Sequence, residues 1–196
     1  MEKINSQTPT QKQLSSLLEF YNNGNFDDAE QTAKYIIKNF PKHPFSWKVL
    51  GAIFKETGRN LEALKISQNI VDLSPQDAEA HYNLGVILKE LGRLQEAEAS
   101  YIVAISLKTD FAEAHNNLGN TLKEQGKLNK AEASYRKAVT LKTDFAEAYY
   151  NLGSTLQELG NLEEAEINYR KAIKLKKNFA QAYNNLGATL QELGVL

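Results

Sequence analysis

The 196-residue chain contains no cysteine, a single methionine, a single tryptophan and four prolines. Without a thiol there is no disulfide frame, no thiolate nucleophile and no cysteine-ligated zinc. An excess of charge of one sign is missing as well, because 23 basic residues nearly cancel 24 acidic ones. No global field steers such a protein toward nucleic acid or an anionic membrane, so neither is an expected partner. Long hydrophobic runs are absent too: nothing approaches the ~18 apolar residues of a membrane span, and the opening MEKINSQTPTQKQ lacks the apolar core of a signal peptide. The composition, 42% hydrophobic and 24% charged, suits an elongated soluble body, expected in the cytoplasm.

What the chain has is a repeat. Residues 112–145 read AEAHNNLGNTLKEQGKLNKAEASYRKAVTLKTDF and residues 146–179 read AEAYYNLGSTLQELGNLEEAEINYRKAIKLKKNF, identical at 20 of 34 positions. Carried along the chain, the period predicts five copies at 10–43, 44–77, 78–111, 112–145 and 146–179, with a partial sixth over 180–196. Residues 1–9 are polar, carry Pro9 and are expected to be flexible. The first copy is the most divergent, as befits a terminal unit with one uncovered face.

Each copy shows two amphipathic stretches. Ala114, Leu118, Gly119 and Leu122 mark one face, and Leu128, Ala131, Tyr135, Ala138 and Leu141 another, both at three-and-four spacing. Gly24, Gly58, Gly92, Gly126, Gly160 and Gly194 stand between the stretches, where a helix ends in a left-handed conformation. At the joins between copies, Asp110 with Glu113 and Asp144 with Glu147 have capping-box spacing, and Pro75 is placed at a helix start. A second glycine column, Gly51, Gly85, Gly119, Gly153 and Gly187, lies within the first helix of the pair. Glycine there costs roughly 1 kcal/mol against alanine, so close approach of the second helix is expected, with Ala63, Ala97, Ala131 and Ala165 as the matching small surface.

These columns resemble the tetratricopeptide repeat. The resemblance rests on Trp47, His81, His115, Tyr149 and Tyr183 followed by Leu-Gly, on the small alanine, on Tyr101, Tyr135 and Tyr169, and on Ala104, Ala138 and Ala172. It covers residues 10–196 and implies an all-α, right-handed α-solenoid of helix-turn-helix repeats, five full repeats plus one extra helix. The family's proline near the end of the unit stands at Pro41 and Pro75 but is Thr109, Thr143 and Lys177 later.

Little chemistry is left over. All 11 glycines belong to the two repeat columns, so none remains for a phosphate loop. His81 and His115 share a column with Trp47 and Tyr149 and read as packed rings; equivalent positions on stacked helices are ~8–10 Å apart, far wider than metal ligands sharing one zinc. No metal, cofactor or catalytic residue is expected. The remaining feature is the first-helix face opposite the packing stripe, which the repeat resemblance places on an inner, concave surface. In the fourth copy it carries Glu113, Asn116, Asn117, Asn120 and Glu124. Along the chain the column reads Asn83, Asn117, Asn151 and Asn185, flanked by Tyr82, Asn116, Tyr150 and Asn184, with Glu79, Glu113 and Glu147 as a second row.

An amide offers one acceptor and two donors, so a row of asparagines can grip the backbone of an extended peptide with little regard for its sequence. An equal reading has these amides solvating the helix or bonding to one another. The row resembles that of the repeat arm of O-linked N-acetylglucosamine transferases. The chain therefore reads first as a non-catalytic interaction scaffold for a peptide or protein segment, and second as the substrate-recruiting arm of a glycosyltransferase-, sulfotransferase- or methyltransferase-type enzyme. A lysine-and-asparagine clamp for a chaperone carboxylate is not expected, because Ala52, Tyr82 and Asn116 occupy the relevant positions. Residues 180–193 form a first helix without the second that covers its equivalents, which predicts either a longer chain or self-association through that face.

Overall fold

The computed structural model describes residues 8–195. Eleven α-helices account for the regular structure among the described residues, with no strand. Residues 1–7 of the segment expected to be flexible lie outside the described residues, while Pro9 is buried and Thr10 opens the first helix with a capping box to Gln13.

The chain divides into two compact units, Met1–Gly92 and Arg93–Leu196. The first holds α1 (Gln11–Asn22), α2 (Phe26–Asn39), α3 (Pro44–Glu56), α4 (Asn60–Leu73) and α5 (Ala78–Glu90). The second holds α6 (Leu94–Leu107), α7 (Ala112–Glu124), α8 (Leu128–Leu141), α9 (Ala146–Glu158), α10 (Leu162–Leu175) and α11 (Ala180–Glu192). The division falls inside the third copy of the period rather than at a join between copies. Within each unit every helix packs on the next, and first helices also touch one period on, α1 against α3, α7 against α9, α9 against α11. That nearest-neighbour pattern is how a repeat array buries its apolar faces.

The breaks within pairs fall where the glycines predict. Gly24, Gly58, Gly92, Gly126, Gly160 and Gly194 all have φ between 70° and 80°, a region costly for any residue with a Cβ. The joins between copies differ from expectation. Asp110 and Asp144 cap nothing: α7 and α9 have Phe111 and Phe145 at the N-cap, with no side-chain cap bond. The phenylalanine packs inward under a lysine, Lys108 Nζ lying 4.4 Å and Lys142 Nζ 4.9 Å from the ring centroids, and burying that ring delays the helix start by one residue past the aspartate. Pro75 likewise lies in a turn, and α5 is capped by Asp77, whose carboxylate accepts from the backbone N–H of Glu79 and Ala80. It is Pro44 that opens a helix, at the first position of α3.

The inner glycine column meets the second helix closely, as expected, with the Ala165 carbonyl 3.2 Å from a Cβ built on Gly153, but the nearest group is a tyrosine ring. A Cβ built on Gly119 would lie 2.6 Å from the Tyr135 ring, and one on Gly153 would lie 3.0 Å from the Tyr169 ring. The glycine thus makes room for a fully buried tyrosine of the second helix, and the alanines Ala131 and Ala165 let that helix lie close enough to deliver it.

Candidate functional site

In the second unit, α7, α9 and α11 present the asparagine columns side by side. Asn151 Nδ2 donates to Asn116 Oδ1 at 3.0 Å, reaching back one period. Asn185 Nδ2 lies 3.4 Å from the Tyr150 hydroxyl and 3.3 Å from that of Tyr169, both of which accept. Asn120 Oδ1 accepts from the Tyr135 hydroxyl at 2.7 Å. Asn116 is only 6% exposed, so it supports its neighbours rather than facing outward. Asn117, Asn120, Tyr150, Asn151 and Asn185 are half-buried, and Asn184 is exposed.

The glutamate row is engaged with lysines from the end of the following second helix. Glu113 pairs with Lys142 at 2.8 Å and Glu147 with Lys176 at 2.9 Å, and these hydrogen-bonded ammonium groups hold both carboxyls below the usual range. Lys123 similarly reaches Glu158 at 2.7 Å and the Ser154 hydroxyl at 2.8 Å. Burial pushes the phenol of Tyr135 far up, with Glu124 and Glu158 adding to the effect, so it stays a neutral donor at any ordinary pH. Burial lowers His115, as does the nearby Lys137, which favours the neutral ring expected of a packed residue. Among the described residues no three His, Asp or Glu side chains gather as metal ligands do, and no helix is long and apolar enough to cross a membrane.

The first unit carries the asparagine-bearing face differently. Glu79 and Asn83 are exposed on α5, with Tyr82 half-buried beside them. Asn83 lines a cavity of about 310 Å³ framed by α3, α4 and α5, whose walls also include Lys48, Gly51, Lys55, Glu56, Ser67 and Ile70. Lys48 is held by Asp77 at 2.8 Å, which offsets its charge. Sequence reasoning passed over Gly51, Lys55 and Ser67 as site residues. The available signal was that Ser67 breaks the tyrosine column of Tyr101, Tyr135 and Tyr169 one period early.

The helix pairs and their left-handed glycines define a tetratricopeptide-type array in each unit, to which the second adds a buried tyrosine column. Family models described as TPR repeat or tetratricopeptide repeat match residues 17–78, 68–99, 87–126, 119–160 and 146–179, and the chain belongs to the tetratricopeptide repeat family. No curated protein matches it significantly. Among solved structures it is similar to MamA, at 28% identity over 83% of this chain and 95% of that one, with a TM-score of 0.77. It shares its fold with YrrB, described as a TPR protein with an unusual peptide-binding site (18% identity, 90% of this chain, 91% of that chain, TM-score 0.77). It also shares its fold with PilW, a type IV pilus biogenesis factor (21% identity, 100% of this chain, 88% of that chain, TM-score 0.80).

Proposed function

We propose that the chain is a non-catalytic scaffold that binds an extended peptide or protein segment along the asparagine-bearing face of its first helices, the face expected to be concave. The observation that carries this reading is the cavity lined by Asn83, a recess in which Ile70, Ala80 and Ile87 stand beside Lys55, Glu56 and Ser67, with an exposed amide on the face where the repeat places its amide column. An apolar hole with a few placed polar groups is what a side-chain receptor requires. In the second unit the amides bond to one another, yet Asn151 uses one donor on Asn116 and keeps a second donor and its acceptor for a guest. Because the helices are already fixed by their neighbours, binding orders only the guest, which limits the entropic cost. The peptide-binding site ascribed to YrrB is consistent with such a use of the fold. The transferase-arm reading draws on the likeness of the asparagine row and of the first two copies to such arms, and the internal bonding of the row in the second unit does not add to it.

Capture from a displayed peptide library tests the proposal. The parent chain is expected to enrich a family of segments, and Asn83→Ala combined with Asn117→Ala to lose at least about tenfold in affinity, the effect of roughly one or two hydrogen bonds. Equal capture by parent and variant would remove the face as a binding site.

A further inference from the structure

We infer that the cavity at Gly51 is a receptor for a tyrosine side chain presented by the bound segment, an assignment that rests on the peptide-binding reading above. The argument is one of equivalence along the period. In the fourth and fifth copies the glycine of the first helix is covered by the protein's own ring, Tyr135 on Gly119 and Tyr169 on Gly153, both fully buried. In the second copy the tyrosine position is Ser67, and the space beside Gly51 is the cavity of about 310 Å³. Part of the room is filled by isoleucines: Ile66 Cγ2 lies 3.3 Å from where a Gly51 Cβ would be, and the Cδ1 of Ile70, which replaces the alanine found at Ala138 and Ala172, lies 3.9 Å from it. The rest stays open.

The polar end of the missing ring is provided for as well. The Tyr169 hydroxyl donates to Gln157 Oε1 at 2.9 Å and accepts from Asn185 Nδ2 at 3.3 Å. Three periods earlier those two positions are Lys55 and Asn83, and both line the cavity. Lys55 and the Asn83 amide bring donors, and Glu56, which also lines the cavity, brings an acceptor, so a group entering here meets polar partners of both kinds beside the apolar walls of Ile70, Ala80 and Ile87. A phenol answers both demands. A benzene ring without the hydroxyl leaves the donors unanswered, and a bare carboxylate or phosphate leaves the walls unfilled while the other local cation, Lys48, is already paired with Asp77.

The test titrates the full chain with 4-methylphenol and, separately, toluene, following backbone amides by NMR. The expected result is saturable shifts at Gly51, Ala52, Ala80 and Asn83 with 4-methylphenol, roughly tenfold weaker binding of toluene, and loss of both in Ser67→Tyr, which supplies the ring internally. Ala52→Leu closes the mouth from α3 and gives the same loss should the first variant not fold. No saturable shift at these amides, or undiminished shifts in the folded variants, overturns the cavity assignment; toluene binding as tightly as the phenol overturns the tyrosine. Peptides captured equally by the parent and by Ser67→Tyr sink this inference and leave the scaffold reading intact. Binding of 4-methylphenol with no peptide captured sinks the scaffold reading and the tyrosine-bearing segment with it, and leaves only the cavity's preference for a phenol. Tyr183, 50% exposed, is the chain's own candidate occupant. Shifts at the same amides that grow with protein concentration and vanish in Tyr183→Ala would make the guest a second copy and overturn the partner segment.

Discussion

The second copy of the repeat and the fourth solve the same packing problem in opposite ways. Both put glycine in the first helix, at Gly51 and Gly119. Around Gly119 the second helix inserts Tyr135, so closely that a Cβ would lie 2.6 Å from its ring, whereas around Gly51 the nearest atom is the branch methyl of Ile66 at 3.3 Å. The fourth copy is filled and hydrogen-bonded through Asn120; the second is left open beside Ala52. One residue, tyrosine or serine at the same register, separates a structural element from a candidate receptor.

The sharpest way to break this comparison is an alanine at each glycine. Gly119→Ala gains about 1 kcal/mol of helix propensity but must displace a buried ring, and overpacking of that kind costs ~1–3 kcal/mol, so a lower melting temperature is expected. Gly51→Ala should lose less, because the same propensity gain is set against a shift of a few tenths of an ångström by one Ile66 methyl rather than of a whole ring. Equal melting temperatures for the two variants would dissolve the distinction. Next in size is Tyr135→Phe, which strands the Asn120 acceptor half-buried and should cost about 1 kcal/mol in chemical denaturation; no loss would mean that the hydroxyl contributes nothing to filling the fourth copy.

Gly187→Ala gives the limiting case, for nothing lies within 4 Å of a Cβ there. With no ring to displace, only the propensity term survives, and stabilisation of up to ~1 kcal/mol is expected. A loss of stability there would show that the glycine column serves something other than the tyrosine. The smallest effect concerns His115, held below its ordinary 6.5 mainly by burial. Because its folded-state pKa is depressed, any stability it lends is present above that ordinary value and declines as the pH falls through it. An NMR titration should place its midpoint below 6.5, and a higher midpoint would contradict the packed, desolvated ring.

Much of the fold was legible because its determinants lie within a few residues of one another. The three-and-four spacing around Leu118 and Leu122 marked α7, and the glycine column marked each left-handed break, with Gly126 at φ 74° as a typical member. The joins were misread at Asp110 and Pro75, since local capping signals compete with the burial of Phe111 and with the cap offered by Asp77. For the site, the helix face of Asn83, Asn117, Asn151 and Asn185 could be read from spacing. Whether each amide faces outward could not, as the partner of Asn151 is Asn116, 35 residues back, and that of Asn120 is Tyr135 on another helix.

The sequence by itself determined the period, the helix pairs and the residues that stand in each column, because helix formation and termination depend on side chains three or four positions apart. Only the tertiary structure decided what each column does. Whether an asparagine supports its neighbour or meets a guest, and whether a glycine faces a ring or an empty space, depends on atoms delivered by other helices at ångström tolerance. Close packing turns the single change from tyrosine to Ser67 into a cavity, and no local signal reports that volume.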